Sequence, residues 1–462
     1  MPVRSESANM RPADGARLCV EFVDFNHEGD GVARTEGGFV LFVEGAMPGD
    51  QAEVEVTRVH SRHGEARLVR LLRPAPGRIA PPCPVAGRCG GCPLMHAAYP
   101  EQLRWKEERI RQALARIGGL DEVPVASIIG MEQPWAYRNK AQFPVTMEGG
   151  RPVVGFYRRR SHDVVPADPC LIQHPLAVEV ARAVRELMEE LELGAEAGGE
   201  PSGFLRHLVV RVSFSREEAM AILVTRERAF PAKEAFIAGL RRRVPAVASV
   251  VQNVKRETGR GVMGPVSVVL WGKSHLAERI GHREFLISPD SFFQVNPEQT
   301  RRLYDVVAEL AGVRPGDSVW DIYCGAGTIG LYVAREGVAL RGVELSPQAV
   351  QDARLNAARN GVGDACFEAG RAEEALARWV AQGERADVAI LDPPRSGCDP
   401  RTLAAVAAAG PRRIVYVSCA PATLARDLAR LRAHGYVTRK VQPVDMFPHT
   451  AHVEAVALLS PE

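Results

Sequence analysis

No stretch of this 462-residue chain approaches the roughly 18 apolar residues that a membrane-spanning helix needs. Its opening, Met1-Pro2-Val3-Arg4-Ser5-Glu6-Ser7, carries no apolar signal region, so a cytoplasmic protein without membrane partners is expected. Net charge is nearly absent as well. The 58 Lys and Arg against 56 Asp and Glu leave +2, too little to hold nucleic acid by bulk charge, so any basic surface must be local. There is no low-complexity tract and no repeat of fixed period. Apolar residues at 46% and charged residues at 25% exclude a disordered or collagen-like chain, and at roughly 150 residues per domain the length suggests about three domains. Nothing in the sequence demands more than a monomer.

Nine cysteines is an odd number for a chain without an export signal, and a disulfide framework accounts for it poorly. Cys83, Cys89, Cys92 and Cys170 sit in Pro/Gly-rich loops, whereas Cys324, Cys398 and Cys419 lie near predicted strand ends. The spacing Cys83-x5-Cys89-x2-Cys92, with Cys170 as a distant fourth ligand, suits a structural zinc or an iron–sulfur cluster. Spacing alone does not choose between them.

Residues 1–16 are polar and aperiodic, and are expected to be disordered. Over 17–75, short alternating runs such as Val20-Glu21-Phe22-Val23 and Ala52-Glu53-Val54-Glu55-Val56, broken by Gly and Asp, predict about five strands and a small β-barrel. Pro74-Ala75-Pro76-Gly77 reads as a boundary. Residues 76–287 follow as a mixed α+β middle domain with the cysteine segment and a helix near Tyr99 to Ile117. In 288–462, apolar strands alternate with helices: Ser318 to Tyr323, Ala339 to Val343, Val388 to Leu391, Ile414 to Val417 and Val453 to Leu459 are candidate strands. That alternation predicts a parallel, Rossmann-like α/β sheet.

Asp321-Ile322-Tyr323-Cys324-Gly325-Ala326-Gly327-Thr328-Ile329-Gly330 follows a strand, opens a helix and satisfies G-x-G-x-x-G, while the next strand ends in Glu344, an acceptor suited to ribose hydroxyls. NAD would fit these glycines too, so later strands must decide the cofactor. Asp392-Pro393-Pro394-Arg395 is a stiff loop with a carboxylate at its root, and Val417-Ser418-Cys419 ends another strand at the same edge. A cysteine facing a cofactor crevice suits covalent catalysis, since even a few per cent of thiolate is strongly nucleophilic. His449-Thr450-Ala451-His452-Val453-Glu454 brings a carboxylate to the start of the last strand as a proton acceptor. Residues 56–116 hold twelve Arg or Lys against four Glu, and Arg138, Lys140 and Arg158-Arg159-Arg160 are interleaved with Trp135, Tyr137, Phe156 and Tyr157, a pattern fitting RNA.

These residues resemble the RNA uracil-5-methyltransferases that use S-adenosylmethionine. Asp392-Pro393-Pro394-Arg395-Ser396-Gly397, Ile414 to Cys419 and Val444-Asp445-x-Phe447-Pro448-His449-Thr450-x-His452-Val453-Glu454 are similar to the family's two signatures, and Ser288 to Asn296 resembles the segment preceding the core. The resemblance implies Cys419 as nucleophile on uracil C6, Glu454 as acceptor of the C5 proton, and S-adenosyl-L-methionine held by Gln294, Tyr323, Thr328, Glu344 and Asp392. Asn26 to Ala33 and Gly45 to Asp50 look like a TRAM domain, an RNA-binding barrel. The cysteine spacing resembles members with a [4Fe-4S] cluster on Cys83, Cys89, Cys92 and Cys170. Both parts favour enzymes of 23S rRNA over the shorter bacterial tRNA enzymes. Ala420 stands where the family usually has Asn, and Thr328 and Arg371 where relatives often have amide or acidic contacts. A cytosine-5 enzyme needs a Pro-Cys loop where Asp392-Pro393-Pro394-Arg395 stands, and a radical enzyme needs Cys-x3-Cys-x2-Cys with an open iron. A non-catalytic RNA-binding protein would transfer no methyl group.

Overall fold

A computed structural model describes residues 11–195, 203–257 and 261–462. They form two compact units. The first runs to Lys106 and adds Arg158–Arg160 and Phe447–His452; the second holds Glu107–Tyr157, Ser161–Met446 and Val453–Glu462.

In the first unit β1 (Arg17–Phe25), β2 (Gly31–Arg34), β3 (Val40–Val43), β4 (Gln51–Val59) and β5 (His63–Arg73) close a barrel in the order β1-β2-β3-β5-β4. The alternation does this work: Val20, Phe22, Leu41, Val43, Ala52, Val54 and Val56 all point inward to one core. Gly31 is required by packing, since a Cβ there would lie 2.8 Å from both Ala46 and Phe22. The barrel's charges are largely matched. Buried Asp50 meets Arg78 at 2.5 Å, Arg67 meets Glu55 at 2.9 Å, and Arg159 meets Asp30 at 2.5 Å while Arg160 reaches Glu28 at 2.9 Å. Arg159 and Arg160, expected to face RNA, are therefore engaged inside this unit. Arg58, Arg62, Arg73 and Arg88 remain exposed.

The helix α1 (Tyr99–Ala113) crosses the boundary between units and ends in a π turn, Leu114–Gly118, closed by Gly119 at φ 58°. The second unit then builds a seven-stranded sheet from β6 (Lys140–Glu148), β7 (Arg151–Tyr157), β8 (Val164–Pro166), β9 (Leu205–Ser213), β10 (Glu218–Thr225), β11 (Val247–Val254) and β12 (Val266–Gly272), in the order β12-β11-β10-β9-β6-β7-β8. The helices α2 (Pro175–Glu190) and α3 (Lys233–Arg243) bury Val180, Val184, Leu187, Phe236 and Leu240 against Phe143, Leu208, Val210 and Leu223 of this sheet. A hairpin of β13 (Leu276–Ile280) and β14 (Arg283–Ile287) leads on to α4 (Pro297–Ala311).

The remaining elements alternate: β15 (Ser318–Ile322), α5 (Thr328–Val333), β16 (Ala339–Glu344), α6 (Pro347–Arg359), β17 (Ala365–Ala369), α7 (Ala372–Ala381), β18 (Val388–Leu391), α8 (Pro400–Ala409), β19 (Arg413–Ser418), α9 (Pro421–Arg432), β20 (Tyr436–Val444) and β21 (Glu454–Pro461). The sheet order is β17-β16-β15-β18-β19-β21-β20. The α/β expectation is met, with one correction: the sheet is mixed. Strands β15 to β19 pair in parallel, but β21 is antiparallel to both β19 and β20. The link between β20 and β21, residues 445–453, is too short for the dozen-residue crossover that a parallel pair requires.

Candidate active site

Sheet register assembles the site. Ile322 pairs with Leu391, Leu391 with Tyr416, and Ser418 with Ala455. The residues that follow or precede these pairs, Tyr323, Asp392, Cys419 and Glu454, therefore emerge along one edge, at the carboxyl ends of β15, β18 and β19. The strand order reverses between β15 and β18, where open α/β sheets place their ligands.

The glycine loop lies beside this edge. Buried Asp321 accepts a hydrogen bond from Gly330 N at 2.8 Å, closing the turn, while its Oδ1 has no partner. Gly325 (φ 54°) and Gly327 (φ 76°) take left-handed conformations, and so does Tyr323 (φ 66°), a costly state for a side chain with a Cβ. A Cβ on Gly325 would meet nothing within 4 Å, so that face of the loop is open. Glu344 accepts from Gly325 N at 3.2 Å and Ser346 N at 2.9 Å, which fixes its carboxylate at the end of β16. Thr328 shares a 2.7 Å hydrogen bond with the Tyr304 hydroxyl, and Tyr323 turns its own hydroxyl toward Thr402 at 3.5 Å. Gln294 is buried, and its carbonyl accepts from Asn139 Nδ2 at 3.0 Å. The open glycine face, the fixed Glu344 and the acids beyond them suit a nucleoside carrying a positive charge.

Electrostatics set the site apart. Burial pushes Glu454 up to about 8, with the nearby Asp392 adding to the rise. Asp392 itself is pushed to about 7 by burial and by Asp321, and Asp321 to about 7 by burial and Glu344. Cys419 is half-buried, and burial together with Glu454 and Asp392 drives its thiol up to about 11, opposed by Arg395. Until positive charge arrives or a base takes its proton, the thiol stays protonated at neutral pH.

A buried hub holds the cysteine loop. Asp427 of α9 accepts from the Tyr416 hydroxyl at 2.7 Å and from Cys398 N at 2.8 Å, and pairs with Arg426 at 2.9 Å and Arg430 at 3.2 Å. It thereby links the Asp392–Cys398 loop to the strand that ends at Cys419. Gly397 (φ 78°) approaches so closely that a Cβ would strike Asp427 and Arg426. Ala420 supplies no side-chain cap to α9; Ser418 Oγ accepts from its N–H at 3.1 Å and Thr423 Oγ1 donates to its carbonyl at 3.1 Å. Arg371 is exposed and paired with Glu373. The motif reading quoted Asp321 and Arg395 without assigning them a part. Tyr304 and Asp427 gave no motif signal, because a hub on a helix reads as an ordinary charged face.

Other motif residues belong to the first unit. His449 (φ 67°) belongs to the first unit, where Gln102 donates to its Nδ1 at 3.2 Å and accepts from its backbone N–H at 2.8 Å. Because Gln102 Nε2 can only donate, Nδ1 is the unprotonated ring nitrogen. Cys83, Cys89 and Cys92 lie half-buried in the loop segment before α1 in the first unit, where Cys89 bridges to Arg158, and Cys170 lies in the second. Among the described residues, no group of three or more His, Cys, Asp or Glu is gathered to hold a metal ion.

The fold and this edge are those of a methyltransferase. Residues 273–462 match the tRNA (Uracil-5-)-methyltransferase family, and residues 14–69 match the TRAM domain. An uncharacterized RNA methyltransferase of Halalkalibacterium halodurans is 43% identical over 98% of each chain, and one of Caldanaerobacter subterraneus is 42% identical over 96% of this chain and 98% of its own. The crystal structure of Pyrococcus abyssi tRNA (uracil-54, C5)-methyltransferase with S-adenosyl-L-homocysteine superposes with a TM-score of 0.77 at 30% identity, covering 96% of this chain and 100% of that one. The chain belongs to the RNA uracil-5-methyltransferase family, as the motifs implied. Among the described residues no helix is long and apolar enough to cross a membrane.

Proposed function

We propose that this enzyme methylates C5 of a uridine in RNA through a covalent Cys419–uracil adduct. What supports this most is the register that brings Cys419, Glu454 and Asp392 to one edge beside an open glycine loop. S-adenosylmethionine, when bound, supplies an electrophilic methyl group on a sulfonium. The cation suits Asp392 and Glu454, two acids kept partly neutral by burial and mutual repulsion, and its charge lowers the affinity of Cys419 and Glu454 for protons. Having lost its proton to solvent, Cys419 adds to C6 as the thiolate, and the electron pair displaced from the C5–C6 double bond makes C5 nucleophilic. After C5 has gained the methyl group, Glu454 takes the C5 proton, the double bond re-forms and Cys419 leaves as thiolate. Gln294, Thr328, Glu344 and the backbone at Tyr323 hold the donor.

The target proposed is 23S rRNA. A tRNA uridine is the second reading, favoured by the Pyrococcus neighbour: a tRNA enzyme of the same extent exists, so the N-terminal parts do not by themselves select rRNA. Incubation with labelled methyl donor and each RNA tests both. Cys419→Ala is expected to lose at least ~10⁴-fold in rate, and transfer at near wild-type rate would sink the covalent route. The spacing of Cys83, Cys89, Cys92 and Cys170 supports a [4Fe-4S] cluster, with zinc as the other occupant, and no step of the reaction runs through it. Iron and sulfide analysis of anoxically purified protein tests this, and the absence of iron, sulfide and zinc would refute it.

A further inference from the structure

The ends of β10 and β11 carry a group of arginines that the reaction leaves unused. A cavity of about 440 Å³ is lined by Arg226, Glu227, Arg228, Ala229 and Arg256. Two other cavities in this unit are charge-matched: Arg341 pairs with Glu384 in one, and Arg182 meets Asp168 at 2.8 Å in the other. Here three guanidiniums face one carboxylate, and Arg226 Nη1 is buried without a hydrogen-bond partner.

Among the described residues, four backbone carbonyls around the cavity are already engaged by other donors. Thr225 Oγ1 and Gln252 Nε2 donate to Glu227 O at 2.8 and 3.0 Å, and Gln252 Nε2 also reaches Arg228 O at 3.3 Å. Arg206 Nη1 donates to the carbonyls of Lys255 and Glu257, each at 3.0 Å. The backbone is thus held while, among the described residues, three cations share the one carboxylate of the lining, an arrangement that suits an anion. A guanidinium fork suits phosphate oxygens, and among the described residues no aromatic ring lines the cavity to stack a base.

We propose that this cavity binds a backbone phosphate of the RNA substrate at a point remote from the reacting base; the inference rests on the reading of RNA as substrate. Strand register sets the span. Thr225 pairs with Leu205 at one end of β9, whereas Arg211, six residues along, donates to Pro289 O at 3.2 Å in the segment leading to Gln294. That separation is ~20 Å at a strand rise of ~3.3 Å per residue. It corresponds to about six nucleotides at the helical rise of ~3.4 Å, and to fewer in an extended strand. The phosphate contact would fix the register of the strand without reading its sequence.

The test compares wild type with the Arg226→Gln/Arg256→Gln double variant and with Arg228→Gln, which alters an exposed side chain. RNA dissociation constants are measured without methyl donor, so they are read whether or not turnover occurs. One RNA extends about ten nucleotides on each side of the target, and the other is trimmed to two. For the long RNA the double variant should bind about tenfold more weakly, with a salt slope shallower by about one to two, and Arg228→Gln should show part of the change. The trimmed RNA should bind all three proteins equally. An unchanged slope on long RNA, or an equal loss on both RNAs, overturns the proposal. So does inorganic phosphate binding that the substitutions abolish while RNA affinity stays unchanged. Failure of wild type to methylate any RNA would instead sink the proposed reaction, and the binding comparison would still stand or fall by itself.

Discussion

The barrel and the catalytic edge both bury carboxylates, and they treat them in opposite ways. In the barrel, the Arg78 guanidinium and the N–H groups of Ala75 and Met47 hold Asp50 below the usual carboxylate range despite its burial. At the catalytic edge burial raises Asp321, Asp392 and Glu454, and the charge of Asp321 adds to the rise of Asp392 as that of Asp392 does to Glu454. A matched buried charge serves the fold. An unmatched group of like charges is a functional signature, and here it creates a demand for a cation.

Substitutions that remove the mismatch should damage catalysis and spare the fold. Asp392→Asn is expected to lower kcat/KM by ~10²–10⁴-fold, with thermal stability at pH 8 unchanged or raised; an active or a strongly destabilised variant would break the comparison. The converse holds in the barrel. Asp50→Ala should cost ~3–5 kcal/mol in denaturant unfolding, because it strands a buried guanidinium, while affinity for the methyl donor stays the same. Gly397→Ala combines a forced φ with a collision at Asp427 and should destabilise by ~1–3 kcal/mol. Its kcat should fall further than that loss of stability explains, as the Asp392–Cys398 loop shifts.

Two pH effects follow from the signs of the shifts. Glu454 must be ionised to accept a proton, so kcat/KM of free enzyme should rise with pH through about 8, and bound donor should move that limb in kcat to lower pH. Raised acids favour the protonated folded state. The stability they contribute is full below their unfolded values near 4 and is lost as pH climbs through about 7 to 8. The apparent Tm of donor-free protein should therefore decline over that window, and it should decline less with donor bound. A flat profile in both states would mean that the acids are not coupled.

Strong periodicity made most of the fold legible in the sequence. The barrel's alternating residues and the buried runs of β15, β16, β18 and β19 announced themselves. The edge strands β17 and β20 did not: β17 buries only Phe367, and β20 interrupts its apolar residues with Thr438, Arg439 and Lys440, of which Thr438 is buried. The antiparallel end of the sheet depends on the length of one connection rather than on composition. At the site, the residue types and their loops were readable, but their protonation was not. The height of the Cys419 thiol comes from burial and then from Glu454 and Asp392, residues 35 and 27 positions away in sequence that register brings near. The same limit hid the ion pairs of Arg159 and Arg160, whose partners Asp30 and Glu28 lie well over a hundred residues earlier.

The central claim is that Cys419 bonds to the pyrimidine and that Glu454 releases it. Glu454→Gln, incubated with donor and substrate RNA and run on a denaturing gel, tests both halves at once. A methylated RNA–protein adduct, mapped by mass spectrometry to the Cys419 peptide, is the predicted result. Normal turnover with no adduct at Cys419 would contradict it.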